Sequence, residues 1–114
     1  MTNRKPTQIG LEESTLLKFI FSEDNLLIFL ERWNGKILRL EFKECIMFQM
    51  FTLCGIEDLC EADTSELFEK ALQIYYDKVP QDHGFKLYQF MDYDEPIIEI
   101  ACKNLSMLEV DMIS

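Results

Sequence analysis

The sequence predicts an α+β domain, mostly antiparallel β-hairpins with one main helix. Three observations carry this. Short runs alternate apolar and polar residues with period two, an Asn-Gly pair joins two of them, and a single later stretch switches to helical spacing. The 114 residues suit one domain spanning 1–114, and their content of Phe, Leu, Ile and Tyr suffices for one packed core. Four Gly and three Pro are too few for a loop-dominated chain.

Residues 1–14 are polar and read as a flexible lead-in. Leu16 to Phe21 reads as a first strand, and Ser22-Glu-Asp-Asn25 as a turn. Asn34-Gly35 tolerates positive φ at both turn positions, which predicts a hairpin joining 26–33 to 36–43. On its return strand Leu38, Leu40 and Phe42 alternate with Arg39, Glu41 and Lys43, one face for the core and one for water. After an interruption at Glu44, Ile46 to Phe51 continues as strand. This run and Leu26–Leu30 are nearly all apolar, so burial on both faces is expected, under a helix, a second sheet or another subunit.

Glu57 to Asp63 reads as an acidic connection. Asp63-Thr64-Ser65-Glu66 has the form of a capping box, with Asp63 as N-cap and Glu66 at N3. Leu67, Phe68, Ala71, Leu72 and Tyr75 then recur at helical spacing, predicting a helix over about 64–78, before Pro80. Phe85–Met91 and Ile97–Cys102 are two more strands joined by a loop at Asp92–Pro96, and 105–113 is an optional last edge strand. The expected order is four strands, the helix, two strands and that optional one. A sandwich, a half-barrel and an open sheet all accommodate these hairpins.

Charge narrows the function. With 21 acids against 11 bases the chain carries −10 and a pI near 4.4. A field of that sign repels phosphate backbones, so nucleic acid is not an expected partner. It speeds encounter with a basic protein surface, and it also simply keeps a protein in solution. No apolar h-region follows the first residues and no run approaches the ~20 residues of a membrane span, so a cytoplasmic protein with reduced thiols is expected, with no membrane contact.

Tested against catalytic chemistry, the chain offers little. Cys45, Cys54, Cys60 and Cys102 show no metal or redox spacing and read as core thiols. His83, the single histidine, stands beside Gly84 in a turn, and its ordinary reading is an exposed loop residue rather than the base of a Cys–His pair. Asp92, Asp94 and Glu95 could converge on a hard cation, but a polar hairpin loop explains them as well, and the EF-hand spacing is absent. No phosphate-binding Gly loop, nucleophile elbow or zinc-protease helix occurs. The expectation is no enzyme, no cofactor and no metal.

What remains is binding. Glu57, Asp58, Glu61, Asp63, Glu66 and Glu69 follow one another without a base, a patch suited to a basic surface. Helix N-terminal preference accounts for Asp63 and Glu66 but less well for the rest. Trp33, beside the hairpin turn, is a candidate hot-spot residue if exposed, though packing across the strand pair is commoner. The four tyrosines, Tyr93 among them, read as core-edge residues.

A Trp-bearing hairpin (Leu26–Phe42), an aromatic strand (Ile46–Phe51), an acidic lead into one helix and the closing pair Phe85-Lys-Leu-Tyr-Gln-Phe with Ile97-Ile-Glu-Ile-Ala-Cys-Lys-Asn-Leu together set the pattern of the chain. Over roughly residues 16–110 this pattern resembles small bacterial proteins grouped with polymorphic-toxin and contact-dependent-inhibition immunity proteins. It is a likeness of pattern and assigns no residue a role. The resemblance implies a cytosolic protein that masks a toxin, often a nuclease with a basic face. The expected binding residues are then the acids around 57–69 and 92–99, with Trp33. Alternatives are a homo-oligomeric scaffold (a homodimer, for instance), motivated by the doubly apolar strands, and a small enzyme or carrier with a pocket between helix and sheet.

Overall fold

A computed structural model describes residues 3–51 and 55–111. Within them the chain forms β1 (Arg4–Pro6), β2 (Thr15–Ser22), β3 (Asn25–Glu31), β4 (Ile37–Lys43), β5 (Met47–Met50), β6 (Asp58–Ala62), α1 (Glu66–Tyr75), β7 (Lys86–Asp92), β8 (Glu95–Cys102) and β9 (Asn104–Val110). The predicted class holds at this level: antiparallel sheet throughout and one helix. The arrangement is two sheets, β1-β6-β7-β8-β5 and β2-β3-β4-β9.

Each sheet gives one apolar face to a shared core. Leu26, Ile28 and Leu30 of β3 and Leu38, Leu40 and Phe42 of β4 meet Leu59, Tyr88, Phe90, Ile98 and Ile100 of the other sheet. The period-two runs of the sequence make this layer, because alternate residues share a face. Phe42 stands edge-on to both Tyr88 and Phe90, with centroids 5.9 and 6.2 Å away. A smaller second core lies where α1 sets Phe68 and Leu72 on Ala62, Leu87 and Ala101. That is the opposite face of the five-stranded sheet, so β7 and β8 are covered on both sides.

The helix and turns depart from expectation in detail. Ser65, not Asp63, is the N-cap, accepting from the N–H of Phe68, and the helix is ten residues long. Asp63 is diverted: its carboxylate accepts from the backbone N–H and side-chain amide of Asn3. The β3–β4 connection is a three-residue loop in which Gly35 alone takes positive φ, at 81°, and its N–H bonds Arg32 O. Asn34 instead uses its side chain to accept from Lys36 N. The β7–β8 connection, expected to run from Asp92 to Pro96, is a two-residue turn with Asp92 paired to Glu95. Pro96 lies inside β8, beside a register shift that turns both Ile97 and Ile98 inward.

Two strands were not foreseen. The acidic connection at 57–63 contains β6, which pairs with β7, and the lead-in contains β1, which pairs with β6. Hydrogen bonds and burial both hold the lead-in: Thr7 gives both its N–H and its hydroxyl to Leu59 O, and Leu11 is fully buried in the shared core. The expected order therefore gains β1 and β6. Conversely β5, expected to be buried on both faces, is an edge strand with half-exposed side chains. The last strand is real and runs Asn104–Val110; residues 112 and 113 of the expected span lie outside the described residues.

Phe42→Ala removes the ring at the middle of the shared core and is expected to cost about 3–5 kcal/mol in urea unfolding; a loss under about 1 kcal/mol would mean the layer is not the main core. A second expectation concerns Asp63, whose carboxyl is held below its ordinary value first by the backbone N–H of Asn3. A lowered folded pKa means the tie stabilises above the ordinary value and is lost as pH falls through the lowered one. The Asn3 amide resonance should thus titrate with a midpoint below 3.8, and lose that titration in Asp63→Asn.

Candidate functional site

Strand register divides the acidic run. β6 begins at Asp58 and ends at Ala62, a length of roughly 13 Å. At its start Asp58 faces Met91, and Glu57 N–H bonds Met91 O. The adjoining β7–β8 turn carries Asp92, Asp94 and Glu95, so five of the expected binding residues converge at one end of the sheet. Asp63 and Glu66 lie at the other end, tied to Asn3 or in the first turn of α1. Glu61 sits between, half-buried and opposite Tyr88.

More of the chain reaches the first end. A bridge between Ser14 and Ile56 brings in the start of β2 with Glu12 and Glu13, and Glu13 N–H reaches Glu57 Oε2 at 3.4 Å. The β3–β4 loop is anchored there by Arg32, whose Nη2 donates to Gly10 O at 2.9 Å. This loop carries Trp33, 66% exposed at its tip. Phe51, 56% exposed, arrives from β5 through a bond to Ile97 O. Tyr93, in the β7–β8 turn, is 77% exposed and so is no core-edge residue.

Tyr93 is also strained. Its φ of 56° lies in the left-handed region, which costs a bulky side chain about 1 kcal/mol. A glycine or asparagine would sit there at lower cost. Of the cations that the register places at this end, Lys36 is in an ion pair with Glu109 at 3.5 Å, while Arg32 donates Nη2 to the neutral Gly10 O and its buried Nε has no hydrogen-bond partner. The end face is thus acidic and studded with exposed aromatic rings. Sequence reading found Trp33 and the carboxylates but missed Phe51, Tyr93, Glu12 and Glu13. The Asp-Tyr-Asp-Glu tetrapeptide was the available signal for Tyr93.

The chain matches no protein-family model, no curated protein and no solved structure. Its chemistry is therefore read from its own residues.

A second polar feature lies on the helix-covered face of the five-stranded sheet. Cys60, Gln89, Glu99 and Gln49 occupy one row across four strands. Arg4 Nε donates to Gln89 Oε1 at 2.6 Å, and Gln89 Nε2 donates to Glu99 Oε1 at 3.1 Å. Gln89 and Glu99 are both buried. The chain of bonds links β1 to the sheet centre and gives the buried carboxylate a donor. Among the described residues no group of His, Cys, Asp and Glu could hold a metal ion, the Asp92–Glu95 turn included.

His83 is not the exposed loop residue expected. It is half-buried, its Nδ1 accepts from Phe85 N–H at 2.9 Å, and its ring packs on Phe68 and Phe85. Cys45, Cys60 and Cys102 are buried free thiols as read from sequence, and Cys54 lies outside the described residues. Burial pushes Cys45 up to about 11 and Cys102 up to about 12. Each donates to a carbonyl two residues on, Met47 and Asn104. Neither is a nucleophile in this state, because the thiolate is the reactive form.

Between α1 and β5 runs an open groove of about 350 Å³, lined by Ile46, Met47, Leu67, Ala71, Ile74 and Tyr75 together with the polar Gln49 and Lys70. It is the helix–sheet pocket considered above, and it is mostly apolar rather than catalytic in lining. Among the described residues no helix is long and apolar enough to cross a membrane.

Iodoacetamide at mildly alkaline pH is expected to leave Cys45 and Cys102 unmodified in the native protein and to label both in urea. Rapid native labelling at either position, mapped by peptide mass spectrometry, would contradict the burial described.

Proposed function

We propose that this protein is an acidic binding module of immunity type, which docks on and blocks a partner protein with a basic surface. The observation that carries the reading is the end face: carboxylates from three separated segments gather at the end that carries three exposed aromatic rings, and Lys36 there is already in an ion pair. Carboxylates gathered at one end of a sheet repel one another, and a cation arriving there relieves that repulsion. Aromatic residues with one polar tip, such as Trp and Tyr, are the usual energetic anchors of interfaces. A strained, exposed Tyr93 fits the same role, since backbone strain collects where binding uses it. The net charge of −10 adds steering toward a basic partner and away from nucleic acid.

In this reading Trp33, Tyr93, Glu57, Asp58, Asp92, Asp94 and Glu95 make the contacts. Glu61, Asp63 and Glu66 do not, because strand β6 carries them away from the face. Titration of candidate basic toxin domains at low and high salt tests it. Affinity is expected to fall roughly tenfold or more at high ionic strength, and by a similar factor in Tyr93→Ala or in Asp94→Lys with Glu95→Lys. Asp63→Lys with Glu66→Lys is expected to change it much less. Binding indifferent both to salt and to the end-face variants would remove the proposal.

A further inference from the structure

We infer that strand β5 and the flank of α1 above it form a dimer interface with a second copy of this chain. The inference is independent of the basic partner proposed above and uses a different surface.

The sandwich has four edge strands, and three are blunted. β1 is three residues long and reads Arg-Lys-Pro. β2 has a register break at Leu17 followed by Lys18. β9 carries Asn104, Ser106 and Glu109. Charges, proline and bulges are the means by which edge strands avoid pairing with other chains. β5, Met-Phe-Gln-Met, has none of them. Phe51 N–H bonds Ile97 O, which fixes the phase of the ladder. The N–H and C=O of Phe48 and Met50 therefore point away from β8, toward the open edge.

The helix above repeats the message. Phe68 and Leu72 are buried on the sheet. A second apolar stripe, Leu67, Ala71 and Ile74, follows at helical spacing and faces the groove beside β5. It faces the side chains of Met47 and Gln49 on the edge strand, and Ile74 is 77% exposed. Below it, Phe48 meets Phe19 and Phe21 of β2 at 5.1 and 6.5 Å, so the same side of the sandwich shows two further half-exposed rings.

A second copy fits this side better than a foreign strand. Antiparallel β5–β5 pairing about a two-fold axis normal to the sheet sets both helices on one face, stripe against stripe, so each covers the other's Ile74. An isolated peptide strand would satisfy the edge and leave that stripe bare. Charge agrees: on a chain of net −10, β5 carries no charge and the groove beside it has one charged lining residue, Lys70, so two copies meet here without acid facing acid. Ile74, Tyr75, Phe19 and Phe21 expose on the order of 400 Å² of apolar side chain. That is about half of the ~800 Å² each partner gives a standard interface; the strand edge and Leu67 contribute toward the remainder.

Light scattering coupled to gel filtration, run as a concentration series with reductant, is expected to show twice the 13.5 kDa chain mass. Ile74→Lys and Gln49→Lys, both at exposed positions, are each expected to raise the dimer Kd by roughly tenfold or more, whereas Leu108→Lys, on the outer face of the other sheet, leaves it unchanged. Hydrogen exchange of the wild-type chain supplies a readout that needs no variant: the Phe48 and Met50 amides gain protection as concentration rises. A chain that stays monomeric throughout, or a dimer broken by Leu108→Lys and not by the two groove variants, would overturn the inference.

Discussion

The apolar layer between the two sheets is the constraint from which the remaining architecture follows. Each sheet is stable only with its inner face covered by the other. The chain must therefore change sheets, and it does so three times, between Pro6 and Thr15, between Lys43 and Met47 and again at Lys103. The last two lie at the same end, where Glu44 takes φ of 54°, Cys45 N–H bonds Asp24 O and Lys103 N–H bonds Lys43 O. Crossing segments fill that end with hydrogen-bonded backbone. The opposite end holds the Pro6–Thr15 crossing, with Leu11, Ser14 and Ile56 buried, and is closed by the three-residue β3–β4 loop and the two-residue β7–β8 turn, which leave Trp33 and Tyr93 standing outward. The candidate face is found where these two connections need least from their side chains.

Legibility in the sequence follows the same division. Strands that contribute to the shared layer announce themselves by alternation, as Leu38, Leu40 and Phe42 do, because burial on one face is a period-two constraint. β1 and β6 escaped because their partners, not their own apolar residues, place them: β1 has three exposed side chains, and β6 reads as an acidic connection until β7 is known to lie beside it. β5 misled in the other direction. Its unbroken apolar run looked like a doubly covered strand, whereas it is an edge strand with half-exposed side chains. Asp63 looked like an N-cap by type and spacing, but the Asn3 amide competes for the same carboxylate and Ser65 takes the helix.

The candidate face was half legible for a related reason. Residue type identified Trp33 and the acids, since neither is needed by a core. Grouping was beyond reach, because Glu57 and Asp92 are brought together by β6–β7 register alone, and Asp63 is taken away by it. Sequence proximity suggested a single patch over 57–69, yet in a strand each residue moves about 3.3 Å along the sheet. Five residues are enough to carry charges more than a Debye length apart at physiological salt, which is about 8 Å. The two ends of β6 therefore act as separate electrostatic neighbourhoods.

The two proposed surfaces constrain each other through that field. A two-fold axis normal to the five-stranded sheet makes the β5 strands antiparallel, so the acidic end of one copy points opposite to that of the other. Parallel pairing would bring both acidic ends to the same side and add their repulsion. In the antiparallel arrangement the carboxylate clusters stand at far ends of a doubled sheet, screened from each other by solvent. Each remains open to its own partner, and neither docked partner meets the other. Self-association through an uncharged edge and recognition through a charged end are thus compatible for a physical reason: the first consumes a strand and groove that carry no acid, and the second uses the part where charge is concentrated.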